Sequence, residues 1–305
     1  MLNEMFTDGG FGFQWHITGR CAGKCLHCYQ SGGDGGDELP VDALKRIAEG
    51  IMEAVPAPVT INITGGEPLI YQFHGQKRGV FELMSYLSTF DNIGELNIIT
   101  STRGMDRSVI HGLRELPKLT YVKVSLESGD PLVDDNIRGL GHYKMARANI
   151  EQLIEADLPV VLMATLSKRN YQSVSGLCAL AAELGSNGVI FERFVPLGQG
   201  VKEMADCVLT SVEWEEILSA IAGAAGADAE TLRPYRAFWV DGDTVSGAPC
   251  CLGPTSMALM PDGTVYPCRR VPAPVGKLPD DGMGEVLKRL GGYSSFTQKC
   301  FDFDF

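Results

Sequence analysis

The stretch Val59-Thr60-Ile61-Asn62-Ile63-Thr64-Gly65-Gly66-Glu67-Pro68 carries the reading on which the fold turns. Val59–Thr64 reads as a strand that closes on two glycines and a proline. Upstream, Val41–Ala54 reads as a helix, with Leu44, Ile47 and Ile51 inward and Asp42, Lys45, Arg46 and Glu49 outward. Before that helix, Phe11–Thr18 reads as a strand. Downstream the alternation repeats, with strands at Leu96–Thr100, Thr120–Leu126, Val160–Leu166 and Gly188–Phe194. Helices fall at Val80–Phe90, Asp106–Leu116 (Asp106 as its cap), Tyr143–Ala156 and Tyr171–Leu184. Strands joined through helices run parallel, because the crossover needs a dozen or more residues. The class is α/β, and six βα units build either an open doubly wound sheet or an incomplete barrel. In both, ligands sit at the carboxyl ends of the strands.

Thr210–Ala225 reads as a further helix, and a linker is expected over 227–245. From Ser246 the pattern changes. Met257–Met260, Pro261-Asp262-Gly263 and Thr264–Tyr266 read as a β-hairpin, and a short helix follows near Gly284–Arg289. Three units are expected: 1–226, the linker 227–245, and a small C-terminal segment, 246–305.

The 305 residues are 45% hydrophobic and 21% charged, a globular balance. The net charge of −12 argues against electrostatic binding of nucleic acid or of an anionic membrane. No apolar run approaches the roughly 18 residues of a span, and Met1–Gly10 lacks a signal-peptide pattern. A cytoplasmic protein is expected. Nine cysteines in such a chain point to metal binding rather than to disulfides.

Three of them, Cys21, Cys25 and Cys28, follow the first strand on one tight loop. Three thiolates can hold three irons of a cubane cluster and leave one iron open to a small molecule. A zinc site or buried thiols are the alternatives. At the end of the second strand, Gly65 and Gly66 allow close backbone approach to a ligand, and the Glu67 carboxylate can pair with an ammonium group.

Together the Cys-x3-Cys-x2-Cys loop and the Gly65–Pro68 segment resemble the radical S-adenosylmethionine (SAM) superfamily. The resemblance implies a partial (β/α)6 TIM-like barrel. It implies a [4Fe–4S] cluster on Cys21, Cys25 and Cys28, whose open iron is chelated by the amino and carboxylate groups of SAM. It places His27 against the adenine side, and Gly65, Gly66, Glu67 and Pro68 at the SAM amino group. Ser125 and Glu127 look like the family's segment near the ribose. Asp135-Asn136-Ile137-Arg138-Gly139 resembles an Asp-x2-Arg-Gly segment of its peptide-modifying branch. Arg193-Phe194-Val195-Pro196-Leu197-Gly198-Gln199-Gly200 resembles the segment closing the last strand, with Arg193 among the SAM contacts. Thr100-Ser101-Thr102 departs from the family's usual Thr-Asn-Gly.

Cys250, Cys251, Cys268 and Cys300 form a second group. Cys251 and Gly263-x4-Cys268 resemble the SPASM and Twitch extensions, which hold auxiliary iron–sulfur clusters. The expectation is one auxiliary cluster on Cys251, Cys268 and Cys300, with Cys250 as candidate fourth ligand. Phe303 stands where a further cysteine would continue the motif, so the extension is expected to be incomplete. Cys178 reads as a packed helix thiol and Cys207 as a surface or loop thiol.

The implied reaction is reductive cleavage of SAM to a 5′-deoxyadenosyl radical, which takes hydrogen from a substrate. A ribosomally made peptide is the expected substrate, with a flavodoxin- or ferredoxin-type electron donor as partner. Tailoring of a small cofactor or tetrapyrrole precursor is the alternative, and a non-catalytic metal-binding module is a third reading.

Overall fold

A computed structural model describes residues 10–30, 38–75 and 77–293. Six strands lie side by side in chain order and all parallel: β1 (Phe11–His16), β2 (Val59–Thr64), β3 (Ile93–Thr100), β4 (Leu119–Ser125), β5 (Val160–Leu166) and β6 (Val189–Arg193). A doubly wound sheet reverses its strand order at a switch point, and none occurs here. Right-handed crossovers that always step the same way put every crossover helix on one face. The other face then curls on itself, which makes a partial barrel and decides between the two architectures left open by periodicity.

The helices are α1 (Val41–Ala54), α2 (Gly79–Leu87), α3 (Arg107–Arg114), α4 (Pro131–Arg138), α5 (His142–Glu155), α6 (Val174–Leu184), α7 (Gln199–Glu203), α8 (Ser211–Ala225), α9 (Ala229–Leu232) and α10 (Met283–Gly291). No helix among the described residues is long and apolar enough to cross a membrane.

Strand alternation sets the two faces. Phe13 and Trp15 register with Ile61 and Ile63 and join Leu44, Ile47 and Ile51 of α1 in the core. Between them, Gln14 registers with Asn62, and both point into the barrel. Asp106 caps α3, accepting from the Val109 N–H at 2.9 Å, and Thr210 with Glu213 forms a capping box on α8.

The last quarter of the chain differs from expectation. The stretch 227–245 is not an unstructured linker: it holds α9 and β7 (Ala237–Asp241), and β7 pairs antiparallel with β6. β8 (Thr244–Ala248) pairs with β7, so the expected border at 246 falls inside a strand. The apolar positions Phe238 and Val240 are buried in the same core as the barrel, which is why this ribbon joins the sheet. The chain then crosses to the other edge. There β9 (Ser256–Leu259) pairs parallel with β1, Gly12 opposite Ser256 and Trp15 opposite Leu259. The expected hairpin follows, Ala258 opposite Tyr266 on β10 (Thr264–Tyr266), and β11 (Gly276–Lys277) closes the edge. The result is an eleven-stranded sheet, β8-β7-β6-β5-β4-β3-β2-β1-β9-β10-β11.

Candidate active site

Three segments strap the cysteine loop in place. The first is the turn after β2: the Gly66 N–H donates to Thr18 O and the Glu67 N–H to Arg20 O, both at 2.8 Å. A Cβ at Gly65, whose φ is +147°, would stand 2.4 Å from Thr18 O, and one at Gly66 would stand 2.1 Å from Arg20 O. The two glycines therefore serve the approach of two loops to each other as well as to a ligand. The second segment is the end of α4, where Ile137 O accepts from the Leu26 N–H at 2.9 Å. The third precedes and opens α7, with the Gly200 N–H on Cys28 O at 3.0 Å. Here too a Cβ is excluded, since at Gly198 it would meet Tyr29 O at 2.3 Å.

Held this way, Cys21, Cys25 and Cys28 line one cavity of about 540 Å³ at the carboxyl ends of the strands. Gly65, Gly66, Ser125, His27 and Arg193 line it with them. Burial raises the pKa of the Cys21 and Cys28 thiols, with an opposing backbone hydrogen bond to each. The His27 ring is buried, which lowers its pKa to about 4, and its Nδ1 has no hydrogen-bond partner.

Three residues expected at SAM, Glu67, Pro68 and Glu127, lie outside the cavity lining. The Glu67 carboxylate is fully buried and outside the cavity lining. It accepts from Thr100 Oγ1 at 2.7 Å, Ser101 Oγ at 2.6 Å, Ser101 N at 2.9 Å and Leu69 N at 3.3 Å. Those bonds fix the end of β3 against the turn, and Thr100 and Ser101 are the ones of this group that line the cavity. Burial still pushes the Glu67 pKa upward, against these hydrogen bonds. Pro68 is likewise buried and opens a short turn of 3-10 helix. Glu127 is also fully buried behind the cavity wall. It receives Arg138 Nε at 2.8 Å, Arg138 Nη2 at 2.6 Å and the Thr165 N–H at 2.8 Å, with His27 Nε2 at 3.4 Å.

Arg138 was noted in the sequence only as part of a segment, and it is a site residue. Its Nη1 reaches Cys25 Sγ at 3.9 Å, and its carbonyl accepts from Arg103 at 2.9 Å. Asp135 of the same segment accepts from the Gly141 and Tyr143 N–H groups at 2.7 and 2.9 Å, which seats α5. Arg269 and Arg270, invisible as site residues in the sequence, come in from the C-terminal segment and line the cavity beside Glu192. Their only sequence signal is position: they directly follow Cys268.

The signature of the radical SAM superfamily matches residues 15–181. The chain belongs to that superfamily. An AdoMet-dependent heme synthase of Methanosarcina barkeri is 28% identical over 191 residues, 61% of this chain and 51% of that protein. The sporulation killing factor maturation protein SkfB of Bacillus subtilis is 25% identical over 285 residues, 88% of this chain and 63% of SkfB. In three dimensions, Streptococcus suis SuiB bound to its precursor peptide SuiA has a TM-score of 0.69 at 14% identity, over 94% of this chain and 66% of SuiB. The chain thus spans about half the length of the heme synthase.

Radical SAM proteins use a [4Fe–4S] cluster and SAM, and the residues present fit both. Three thiols share one cavity, and a guanidinium faces Cys25 to balance an anionic cluster. His27 lines the same space, and among the described residues its Nδ1 has no hydrogen-bond partner, so a small turn of the ring would offer a hydrogen bond to a bound nucleoside. Mononuclear zinc fits less well, because among the described residues no three Cys, His, Asp or Glu side chains gather around a single ion.

In the second group, Cys250, Cys251 and Cys268 gather between β8 and the end of β10, close enough for Cys251 to feel both other thiols. Burial raises the Cys251 pKa. Cys300 lies outside the described residues. Cys178 packs against the core as expected. Cys207 is buried against Phe194 and Met204, not a surface thiol, because Cys207 O accepts the Lys168 N–H and draws its turn inward.

Proposed function

We propose that this chain is a radical SAM enzyme that modifies a ribosomally made peptide. The observation that carries the catalytic part is the shared cavity of Cys21, Cys25 and Cys28 at the strand ends, braced by the Gly65–Glu67 turn and faced by Arg138. Bound there, the cluster and SAM supply reductive cleavage to a 5′-deoxyadenosyl radical that removes a hydrogen atom from substrate. The chain's own residues position the cofactors and keep water from the radical. Arg138, held by Glu127, sets the charge beside Cys25, while Thr100, Ser101 and Ser125 offer hydroxyls along the wall. Likeness to SkfB over most of the chain supports a peptide substrate, as does the peptide-bound state of SuiB, whose fold this chain shares. The likeness to a heme synthase favours a second reading, tailoring of a tetrapyrrole or similar small molecule.

Cys250, Cys251 and Cys268, with Cys300, are proposed to hold an auxiliary iron–sulfur cluster within the segment 246–305. The working compartment is the cytoplasm, and a flavodoxin- or ferredoxin-type protein supplies electrons. The test is anaerobic reconstitution, reduction, and measurement of 5′-deoxyadenosine and of mass change in short peptides encoded beside the gene. Cleavage by the wild type and none by the Cys21→Ala/Cys25→Ala/Cys28→Ala variant is expected, with one peptide changing mass. Equal cleavage in the triple variant refutes the cluster assignment. Cleavage without any modified peptide, together with a modified tetrapyrrole, decides for the second reading.

A further inference from the structure

Below the cysteine-lined cavity the barrel narrows into an annex of about 110 Å³. Gln14, Asn62, Lys123, Glu192 and Trp239 line it, and it adjoins the cavity above, with which it shares Gln14, Ile99, Met163 and Glu192. Lys123 projects into it from β4. This side chain is buried, yet among the described residues its ammonium makes one hydrogen bond, to Asn62 Oδ1 at 2.7 Å. An ammonium carries three donors, and among the described residues no carboxylate stands within ion-pair distance of this one. Burial lowers its pKa to about 8, partly offset by Glu95 and Glu192.

Glu192 does not answer it. Its carboxylate is taken by Arg269, with Arg270 Nη2 at 3.7 Å from the same oxygen. The partly buried Glu192 carboxylate therefore serves Arg269 and Arg270 first and acts on Lys123 only from further away. A buried cation without a paired carboxylate is costly, and Lys123 has only the unpaired influence of Glu95 and Glu192 to offset that cost. A cluster on Cys251 and Cys268 would act on Arg269, which feels both thiols; neither cysteine is among the groups that act on Lys123.

We propose that the annex is a substrate subsite for a carboxylate, received by Lys123 with Asn62 and Gln14 beside it and with Arg269 and Arg270 at its mouth. This rests on the peptide reading above. The carboxylate belongs to an acidic side chain or to a peptide's C-terminus, and a residue anchored there sets its neighbours in the cavity beside the cysteine loop.

The test is thermal unfolding of the reconstituted protein, kept anaerobic, with four small probes. N-acetylglutamate α-methylamide carries a side-chain carboxylate and N-acetylalanine a terminal one; N-acetylglutamine α-methylamide and N-acetylalanine methylamide are their neutral counterparts. At about ten times its Kd, one carboxylate probe is expected to raise Tm by roughly 2–4 °C over its neutral partner, and which one does so identifies the source. Lys123→Met should abolish that difference. Lys123→Gln, which keeps a donor for Asn62 without the charge, should weaken probe binding at least tenfold. Iron content and far-UV circular dichroism verify that both variants fold. Equal shifts from carboxylates and neutral partners, or an undiminished carboxylate shift in Lys123→Gln, overturn the subsite. SAM cleavage is scored separately in the same preparation, so the subsite and the functional reading fail by different results.

Discussion

Replacing Glu127 with glutamine keeps the side chain's shape and removes the charge paired with Arg138. Both partners are buried, with side-chain exposures of 0% and 9%, and Arg138 gives Glu127 two hydrogen bonds at 2.8 and 2.6 Å. Breaking a buried pair from one side strands the other charge at a cost of about 3–5 kcal/mol. Glutamine retains one acceptor for the guanidinium, so Glu127→Gln should fall near the lower end, at about 3 kcal/mol. Arg138→Met leaves the carboxylate with the Thr165 N–H at 2.8 Å, and should cost about 2–3 kcal/mol. If the two side chains act mainly on each other, the double variant loses much less than the sum, with a coupling energy of about 2 kcal/mol. Urea unfolding of all four proteins, kept anaerobic, measures this directly. Iron retention gives a second readout, because Arg138 Nη1 lies 3.9 Å from Cys25 Sγ: Arg138→Met should lose iron faster on gel filtration. Single-variant costs below about 1 kcal/mol, the range of exposed pairs, or additivity within about 0.5 kcal/mol, would refute the assignment of Glu127 and Arg138 as one buried unit.

Gly66→Ala puts a methyl group 2.1 Å from Arg20 O; overpacking of this kind costs roughly 1–3 kcal/mol, and the variant should incorporate less iron, whereas wild-type iron content would show that the loops part without consequence. His16 is buried with a pKa lowered to about 3, first by burial and then by Arg269. A folded value below the unfolded one of about 6.5 favours folding above pH 6.5 and loses that contribution as pH falls towards 3, so about 2 kcal/mol should vanish between pH 7 and pH 5. His16→Gln should flatten that part of the stability curve, and an unchanged slope would assign it to other groups. Cys251→Ala with Cys268→Ala should lower iron by about four per chain, the content of one [4Fe–4S] site, while uncoupled SAM cleavage continues; loss of zinc instead of iron would make the site structural.

The alternation of short apolar runs with amphipathic ones located all six barrel strands, because a parallel strand is buried on both faces and bounded by turns. Val59–Thr64 and Val160–Leu166 match the structure at both ends. What the pattern does not encode is direction around the sheet, and so barrel and open sheet were separable only by strand order. The ribbon of Ala237–Asp241 and Thr244–Ala248 escaped notice because both strands are only five residues long and the turn between them, Gly242-Asp243, is flanked by the polar Asp241 and Thr244. At the site, spacing exposes ligands that share a loop, as with Cys21, Cys25 and Cys28. It says nothing about side chains that meet only through the fold. Glu67 and Glu127 were legible as residues near the site, yet their partners, Thr100, Ser101 and Arg138, lie on other strands and helices. Lys123 on β4 and Glu192 on β6, with Arg269 bound to the latter, come to one cavity by tertiary placement alone.

The parallel pairing of β1 with β9 bears on how the protein comes into being. During synthesis the first strand emerges early, but its partner on that side, Ser256–Leu259, is made only after the rest of the barrel. Until then β1 presents one row of unsatisfied backbone groups, and β6 presents another until Ala237–Asp241 is made. Chains stopped near residue 226 would carry two raw edges and stick to one another. The cysteine loop springs from β1, so its thiols settle late as well. Iron delivery is therefore best timed to the finished polypeptide, and a pulse of iron given to nascent chains should be retained poorly compared with one given after release.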